Sequence, residues 1–530
     1  MRSTTFTRVV AMTIFSALGI SATLAAQEQS TEQQPNKQHR RYKLVDIGTF
    51  GGPESNVNPG VNAGPIISRR GTTVGTSATS VPTSAQSNSS LVCGGLDGSV
   101  PFVFHAFRWQ HGSVTDLGSL PPSTDNCSVV QGVNARGEIS GQAENGLIDP
   151  LTGFNEVRAV RWKDGKIEEL GTLGGRNSVA NQINRRGQIV GAALNTIPDP
   201  FSFLYQFFSN TNGTQTRAFL WDDGHMRDLG TLGGPDAWAV YVNDRGQVAG
   251  KSFTSPTPSA SGFPVQDPFL WTKEDGMIDL GGFGGTSGGP TGLNNRGQVI
   301  GSSNLAGDQA SHPFLWNRRE LIDLNTQSGG VIVAANAIND AGDIVGLECL
   351  SSGTCDAYLW RNGTITDLGV LAGDCFSQAF AINSRDQVVG QSVSCDGFGR
   401  VFLWEDGSMI DLNTFVPPGS GLQLEDVQAI NENGEIAGDL VGPTCTGDPQ
   451  GQDNHCGHAF VLIPCDDYHF GEEGCRDAAE SSTAAIQNNA PPIVQNSTRM
   501  AGSGLAPGEI ASQMRARFAP TRGFALSSSK

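Results

Sequence analysis

Apolar residues in this chain come in short bursts rich in Val, Ile, Phe and Trp, and each burst is bounded by Gly, Asn or Asp. No stretch of the array carries apolar residues at helical spacing. Bursts of this length and composition predict β-strands, and the punctuating residues predict tight turns. The bursts recur in groups of four, as at residues 378–382, 387–392, 401–404 and 409–412. We label these strands a, b, c and d. The a–b turn reads N-x-x-G. Asn can bond its own backbone two residues on, and Gly supplies the positive φ that closes the hairpin. Asp386 stands where the other copies have Gly, and Asp visits the left-handed region more readily than most residues. The c–d turn is mostly W-x-D-G or W-x-N-G, a second tight hairpin.

The groups are copies of one pattern: D-L-G-T-L-G-G, then A-x-x-I-N-x-x-G-Q-V-x-G, then A-F-L-W-x-D-G. Eight copies keep register. They open on Asp46, Asp116, Glu169, Asp228, Asp279, Asp323, Asp367 and Asp411. Their a–b turns start on Ser68, Asn134, Asn184, Asn243, Asn294, Asn339, Asn383 and Asn431. Seven copies end on Trp109, Trp162, Trp221, Trp271, Trp316, Trp360 and Trp404, and the eighth ends on Leu462. Only Trp238, of eight tryptophans, lies outside this slot.

One copy cannot bury its own apolar face and must stack on neighbours. Four-stranded units of ~40–50 residues predict an all-β protein: a β-propeller of eight four-stranded blades, within the known range of ~4–8. A seven-bladed ring and a β-solenoid are the alternatives. The array starts on a d strand and ends on a c strand. If the crossing between blades is d–a or b–c, the first and last strands share a blade and remove two open edges. The a–b and c–d turns then share one face and stay short. The d–a and b–c links share the other face, which carries insertions at 77–104, 143–157, 193–217, 253–267 and 441–457. Copies from Asp279 onward are compact, with 44 residues between openers. Loops on a rigid scaffold are where binding concentrates, so the long-loop face is the expected functional face.

Residues 1–26 read as a secretory signal peptide: Arg2 and Arg8 precede an apolar run that ends in small residues. A polar leader follows at 27–41. The propeller spans 42–464, a linker 465–505, a short helix 506–518 and a tail 519–530. No other stretch is apolar enough to span a membrane. Ten cysteines in an exported chain predict five local disulfides: Cys93–Cys127, Cys349–Cys355, Cys375–Cys395, Cys445–Cys456 and Cys465–Cys475. A net charge of −18 argues against nucleic acid and anionic membranes as partners. Glycan and protein remain as partner classes, in a secreted or periplasmic setting.

The repeated phrase resembles the HAF repeat of extracellular bacterial proteins, over about residues 42–464. The resemblance implies an exported bacterial protein and brings no catalytic residues with it. Many members of that family end in a membrane-sorting tail, and 518–530 shows none. The chain has no G-K-[ST] phosphate loop, H-E-x-x-H, G-x-S-x-G or EF-hand pattern, so no catalytic residue, cofactor or metal is predicted. Asp448, Asp453, His455 and His458 are metal-capable, but their spacing matches no standard site and reads as a solvated loop. The acidic openers read as caps of the d–a turn rather than a carboxylate ring. The repeated Trp reads as packing between blades. Trp238 breaks the pattern and is the candidate ligand-facing aromatic. The expected function is a non-enzymatic binding or scaffold module. The alternatives are a polysaccharide-active hydrolase or lyase, and a structural or adhesive surface protein.

Overall fold

The computed structural model describes residues 41–57, 64–84, 92, 102–121, 125–206, 213–350, 353–443, 457–466 and 475. The signal segment 1–26, the helix 506–518, the tail 519–530 and nearly all of the leader and linker lie outside the described residues.

Each copy does form four short antiparallel strands, and the ring has eight blades. Blades 1 to 7 run Gly51–Asp116, Ser128–Gly171, Ser178–Asp228, Ala237–Asp279, Gly284–Asp323, Ile332–Gly369 and Asp374–Asp411. Blade 8 combines Gln423–Ile430, Ile436–Val441 and Gly457–Pro464 with the first strand of the chain, Tyr42–Asp46. That first strand pairs antiparallel with the last, Leu44 facing Leu462. The seam is extended by Ile47 N–H, which donates to Ala459 O at 2.9 Å. The crossing between blades is d–a. Single parallel bridges join two neighbouring pairs of blades, Gln266 to Ser287 and Cys355 to Phe376. Successive a strands touch one another, so a is the inner strand and d the outer.

One glycine explains how closely the strands pack. Every b strand carries Gly at the same register, as at Gly250. A Cβ there would lie well inside van der Waals contact of the Trp238 carbonyl on strand a and the Phe269 ring on strand c. The ring fills the space that a side chain would need. Phe107, Phe219, Phe314, Phe402 and Phe460 repeat this contact in other blades and are fully buried. The tryptophan slot packs between blades. Trp162 donates from Nε1 to Leu117 O of the preceding blade at 3.0 Å, and the Arg161 guanidinium lies 4.5 Å over the Trp221 ring of the next. The core is therefore a set of blade-to-blade layers, as a repeat architecture requires.

The asparagines do more than start the turns. Each Oδ1 accepts from the backbone N–H two and four residues on, as Asn294 does from Arg296 and Gln298 at 3.0 Å. Its Nδ2 then donates to the backbone oxygen of the matching residue in the next blade. The chain of bonds runs Asn134, Asn184, Asn243, Asn294, Asn339, Asn383, Asn431, Ser68, at 2.8–3.3 Å. This belt encircles the inner strands on the short-turn face. Ser68 has no amide to pass on. Blades 1 and 2 are joined there by backbone bonds instead, Gly64 N–H to Gln131 O at 2.6 Å and Val133 N–H to Pro65 O at 2.8 Å. Asp386 adopts the expected left-handed conformation with φ 61°.

Candidate functional face

The insertions are mostly continuations of the b and c strands. Ile139–Ile148 and Asn155–Lys163 in blade 2 extend beyond the blade as a hairpin, as do Val248–Pro258 and Pro264–Thr272 in blade 4. Blade 3 adds a four-residue helix, Phe203–Gln206, between Ile189–Asp199 and Gly213–Asp222. Blades 8, 1, 2, 3 and 4 are consecutive around the ring, so the insertions form one arc on the long-loop face.

Buried polar groups fix this arc. The Tyr205 hydroxyl donates to Asp149 Oδ2 at 2.8 Å, and Asn177 Nδ2 donates to the same oxygen at 2.8 Å. One carboxylate thus ties the blade 3 helix to the blade 2 hairpin. Asp236, at the start of blade 4, accepts from Phe203 N–H and from Thr216 N–H. Burial, with Asp199 alongside, raises its pKa well above the carboxylate range. The Phe203 ring meets Phe253 with centroids 4.3 Å apart, and the Lys251 ammonium lies 5.2 Å over the same Phe203 ring. Burial lowers the Lys251 pKa to about 8.

The face above this frame is apolar in places. Among the described residues, the large hydrophobic side chains exposed to solvent are Val81, Val114, Leu147, Ile148, Leu151, Ile197, Leu350 and Phe398. All except Val114 sit on b–c links of the long-loop face. Leu147 is 60% exposed and Ile197 53%. The short-turn face carries a cleft of about 780 Å³ at blades 5 and 6, lined by Arg296, Arg318, Arg319, Trp316 and Trp360.

Trp238 is buried, 7% exposed, in the cluster of Phe203, Tyr205, Phe253 and Val240. Its indole supports the arc from beneath. The acidic openers act as turn caps: Asp46, Asp116, Asp228, Asp279 and Asp367 each accept from the N–H two residues on, at 2.7–2.9 Å. They end the outer strands, so they do not ring the axis. Three of the expected disulfides form, Cys349–Cys355, Cys375–Cys395 and Cys465–Cys475. Cys127 is disulfide-bonded, while Cys93, Cys445 and Cys456 lie outside the described residues. Of the four metal-capable residues near the C-terminal insertion, His458 pairs with Asp46 through Nδ1 at 3.0 Å, and the other three lie outside the described residues. Among the described residues no helix is long and apolar enough to cross a membrane.

Sequence reasoning missed Asp149, Tyr205 and Asp236. Asp236 carries a signal: it follows the T-L-G-G phrase, and at the same register blades 2, 3 and 7 have Cys127, Asn177 and Phe376. Asp149 and Tyr205 lie in non-repeating insertions, where no second copy exists for comparison.

No family model matches the chain, and no curated protein matches it. Solved structures do, at low identity. The β-propeller domain of the Trilobed protease from Pyrococcus furiosus is 11% identical, with a TM-score of 0.37, over 66% of this chain and 95% of that one. A puromycin-hydrolyzing peptidase of Mycobacterium tuberculosis is 13% identical, with a TM-score of 0.38, over 76% of this chain and 61% of the peptidase. TolB from Acinetobacter baumannii is 10% identical, with a TM-score of 0.29, over 74% of this chain and 79% of TolB. The match to an acylaminoacyl peptidase of Pyrococcus horikoshii spans 56% of that chain.

Proposed function

We propose that this protein is an exported binding and scaffold module that engages a glycan or protein partner through its long-loop face. One observation carries the reading: apart from Val114, the exposed large hydrophobics of the described residues all lie on b–c links of that face. Isolated exposed apolar residues are ordinary, but segregation to one face of a rigid ring is the distribution expected of a recognition surface. The buried network of Asp149, Tyr205 and Asp236 supports it, because it pre-organises the hairpins and lowers the entropy cost of binding. Export is supported by the signal-like segment 1–26 and by the disulfides. The resemblance to the HAF repeat points the same way.

The test is a glycan and peptide array followed by product analysis of any bound polymer. Leu147→Lys, Leu151→Lys and Ile197→Lys change exposed side chains and leave the core intact. Loss of binding in these variants, without turnover by the parent, supports the reading. Turnover, or binding indifferent to all three, overturns it.

A further inference from the structure

The eight blades provide an internal control for a second site. On strand c, one residue sits two positions before the residue that faces the opener acid of strand d. In six blades this slot is basic and pairs with the opener: His105 with Asp116, Arg158 with Glu169, Arg217 with Asp228, His312 with Asp323, Arg400 with Asp411 and His458 with Asp46, at 2.8–3.1 Å. The register is the same in blades 4 and 6, where Phe269 faces Asp279 and Tyr358 faces Asp367. There, however, the slot holds Asp267 and Asp356. Two carboxylates meet where the other blades pair an acid with Arg or His.

Blade 6 goes further. Glu348 lies directly opposite Asp356 on strand b. Ser252, Ser303 and Ser392 hold that b-strand position in blades 4, 5 and 7. Glu348 is 5% exposed and Asp356 8%. Asp356 Oδ1 is buried without a hydrogen-bond partner. Among the described residues no Lys, Arg or His forms an ion pair with Glu348, Asp356 or Asp367. The disulfide Cys349–Cys355 joins the residue after Glu348 to the residue before Asp356, so the two strands are cross-linked at the site. Burial and the neighbouring Asp367 and Asp356 push Glu348 up to about 7, and burial with Asp367 pushes Asp356 up to about 6. An incoming cation would reverse both shifts.

We propose that Glu348, Asp356 and Asp367 form a binding site for an organic cation, a guanidinium or ammonium group of a ligand, taking the place that Arg or His of the chain itself fills in six other blades. A planar guanidinium suits the slot because Arg158, Arg217 and Arg400 already occupy its equivalents. A metal ion is the weaker candidate, since among the described residues no three acidic, His or Cys groups are spaced to hold one. Asp267 and Asp279 form a simpler version in blade 4, without the buried third carboxylate. The site lies outside the arc of long hairpins and stands independently of the function proposed for it.

The experiment is calorimetric titration of the full-length protein with agmatine, with spermidine and with calcium chloride, at constant ionic strength. All samples carry Asp267→Asn, which removes the blade 4 pair from the measurement. Saturable binding of agmatine or spermidine is expected, and the stronger of the two identifies the source of the cation. Asp356→Arg should abolish it, because the side chain then supplies the cation in place and raises the melting temperature. Asp367→Asn leaves the buried pair untouched and should weaken binding by about tenfold, as loss of a charged partner does. No saturable binding of either amine, binding of calcium alone, or binding unchanged in both variants overturns the proposal.

Discussion

The side-chain amide of Asn431 donates to the backbone oxygen of Ser68 at 2.8 Å, across 363 residues of chain. It is the bond that brings the belt of asparagines round to the first blade. Each belt asparagine satisfies its turn with Oδ1 and its neighbour with Nδ2, so its removal orphans several buried groups at once. Asn294→Ala should lower stability by about 2–3 kcal/mol, because buried donors and acceptors left unpaired cost about 1–3 kcal/mol each and relax in part. Ser68→Ala should cost less, since Ser68 supplies only the turn bonds, to Arg70 and Thr72 N–H at 3.2 and 3.1 Å. Urea unfolding of the two variants checks the order.

The b-strand glycine is a second shared element. Gly250→Ala places a methyl group against the Trp238 carbonyl and the Phe269 ring. Overpacking of a filled core costs about 1–3 kcal/mol, and here the carbonyl belongs to the paired strand and cannot yield alone. A fall in melting temperature is expected, and Gly250→Ala combined with Phe269→Leu should recover part of it. Indifference to the methyl group would show that the strands have room to separate.

The eight blades, the short and long faces and the seam were legible in the sequence because repetition compares each residue with seven others. Gly, Asn and Asp at fixed offsets named the turns, and the leading d strand with the trailing c strand named the closure. The links between blades were less legible. Asn134 and Asn184 announce a turn, but nothing local says that the amide left over reaches the next copy. The arc was harder still. Tyr205 and Asp149 find each other across 56 residues of non-repeating chain, and Trp238 stood out only because it breaks a pattern. Breaking the pattern marked it as unusual without saying which way it faces. The contacts of Trp238 with Phe203 and Tyr205 come from an insertion that carries no periodicity to read.

Acid and base titrations act in opposite directions in blade 8. Asp426 and Asp439 face each other on paired strands and are half-buried. Burial lifts Asp426 to about 6, and burial with Asp426 nearby lifts Asp439 well above the carboxylate range. A folded-state pKa raised above the unfolded value gives stability that is complete at low pH and lost as pH rises through the folded pKa. Asp439→Asn keeps an acceptor for Val57 N–H and removes the charge. It should therefore stabilise the protein at pH 8 and have little effect at pH 4.

The seam pair behaves otherwise. The hydrogen bond and charge of Asp46 raise the His458 pKa, so its contribution is lost as pH rises through the histidine. Burial works against the charge of Asp46, yet His458 and Gly48 hold its pKa below the usual value, so its contribution is lost as pH falls through the carboxylate. The pair should matter most in mildly acidic solution. His458→Gln should depress the melting temperature more at pH 5.5 than at pH 8.

Mass mapping of the unreduced protein should find Cys349–Cys355, Cys375–Cys395 and Cys465–Cys475 as local links, with Cys127 also oxidised. We expect Cys93 as the partner of Cys127, and Cys445 paired with Cys456. Cys349–Cys355 and Cys375–Cys395 sit at the long-loop ends of their strands. Reduction should therefore raise proteolytic cleavage on that face before the ring melts. Melting at the first appearance of free thiols would place the bridges in the ring itself.

Closure of the ring by its two ends is the central claim, and native-state hydrogen exchange tests it most directly. Ile47 N–H and the ladder between Tyr42–Asp46 and Gly457–Pro464 tie the first strand into blade 8. The amides of Lys43, Val45 and Ile47, which point at the last strand, should exchange as slowly as those of Ala459 to Ile463, and both should open only with global unfolding. If the first strand exchanged quickly while the rest of blade 8 stayed protected, the ring would be open at that seam and the account would be wrong.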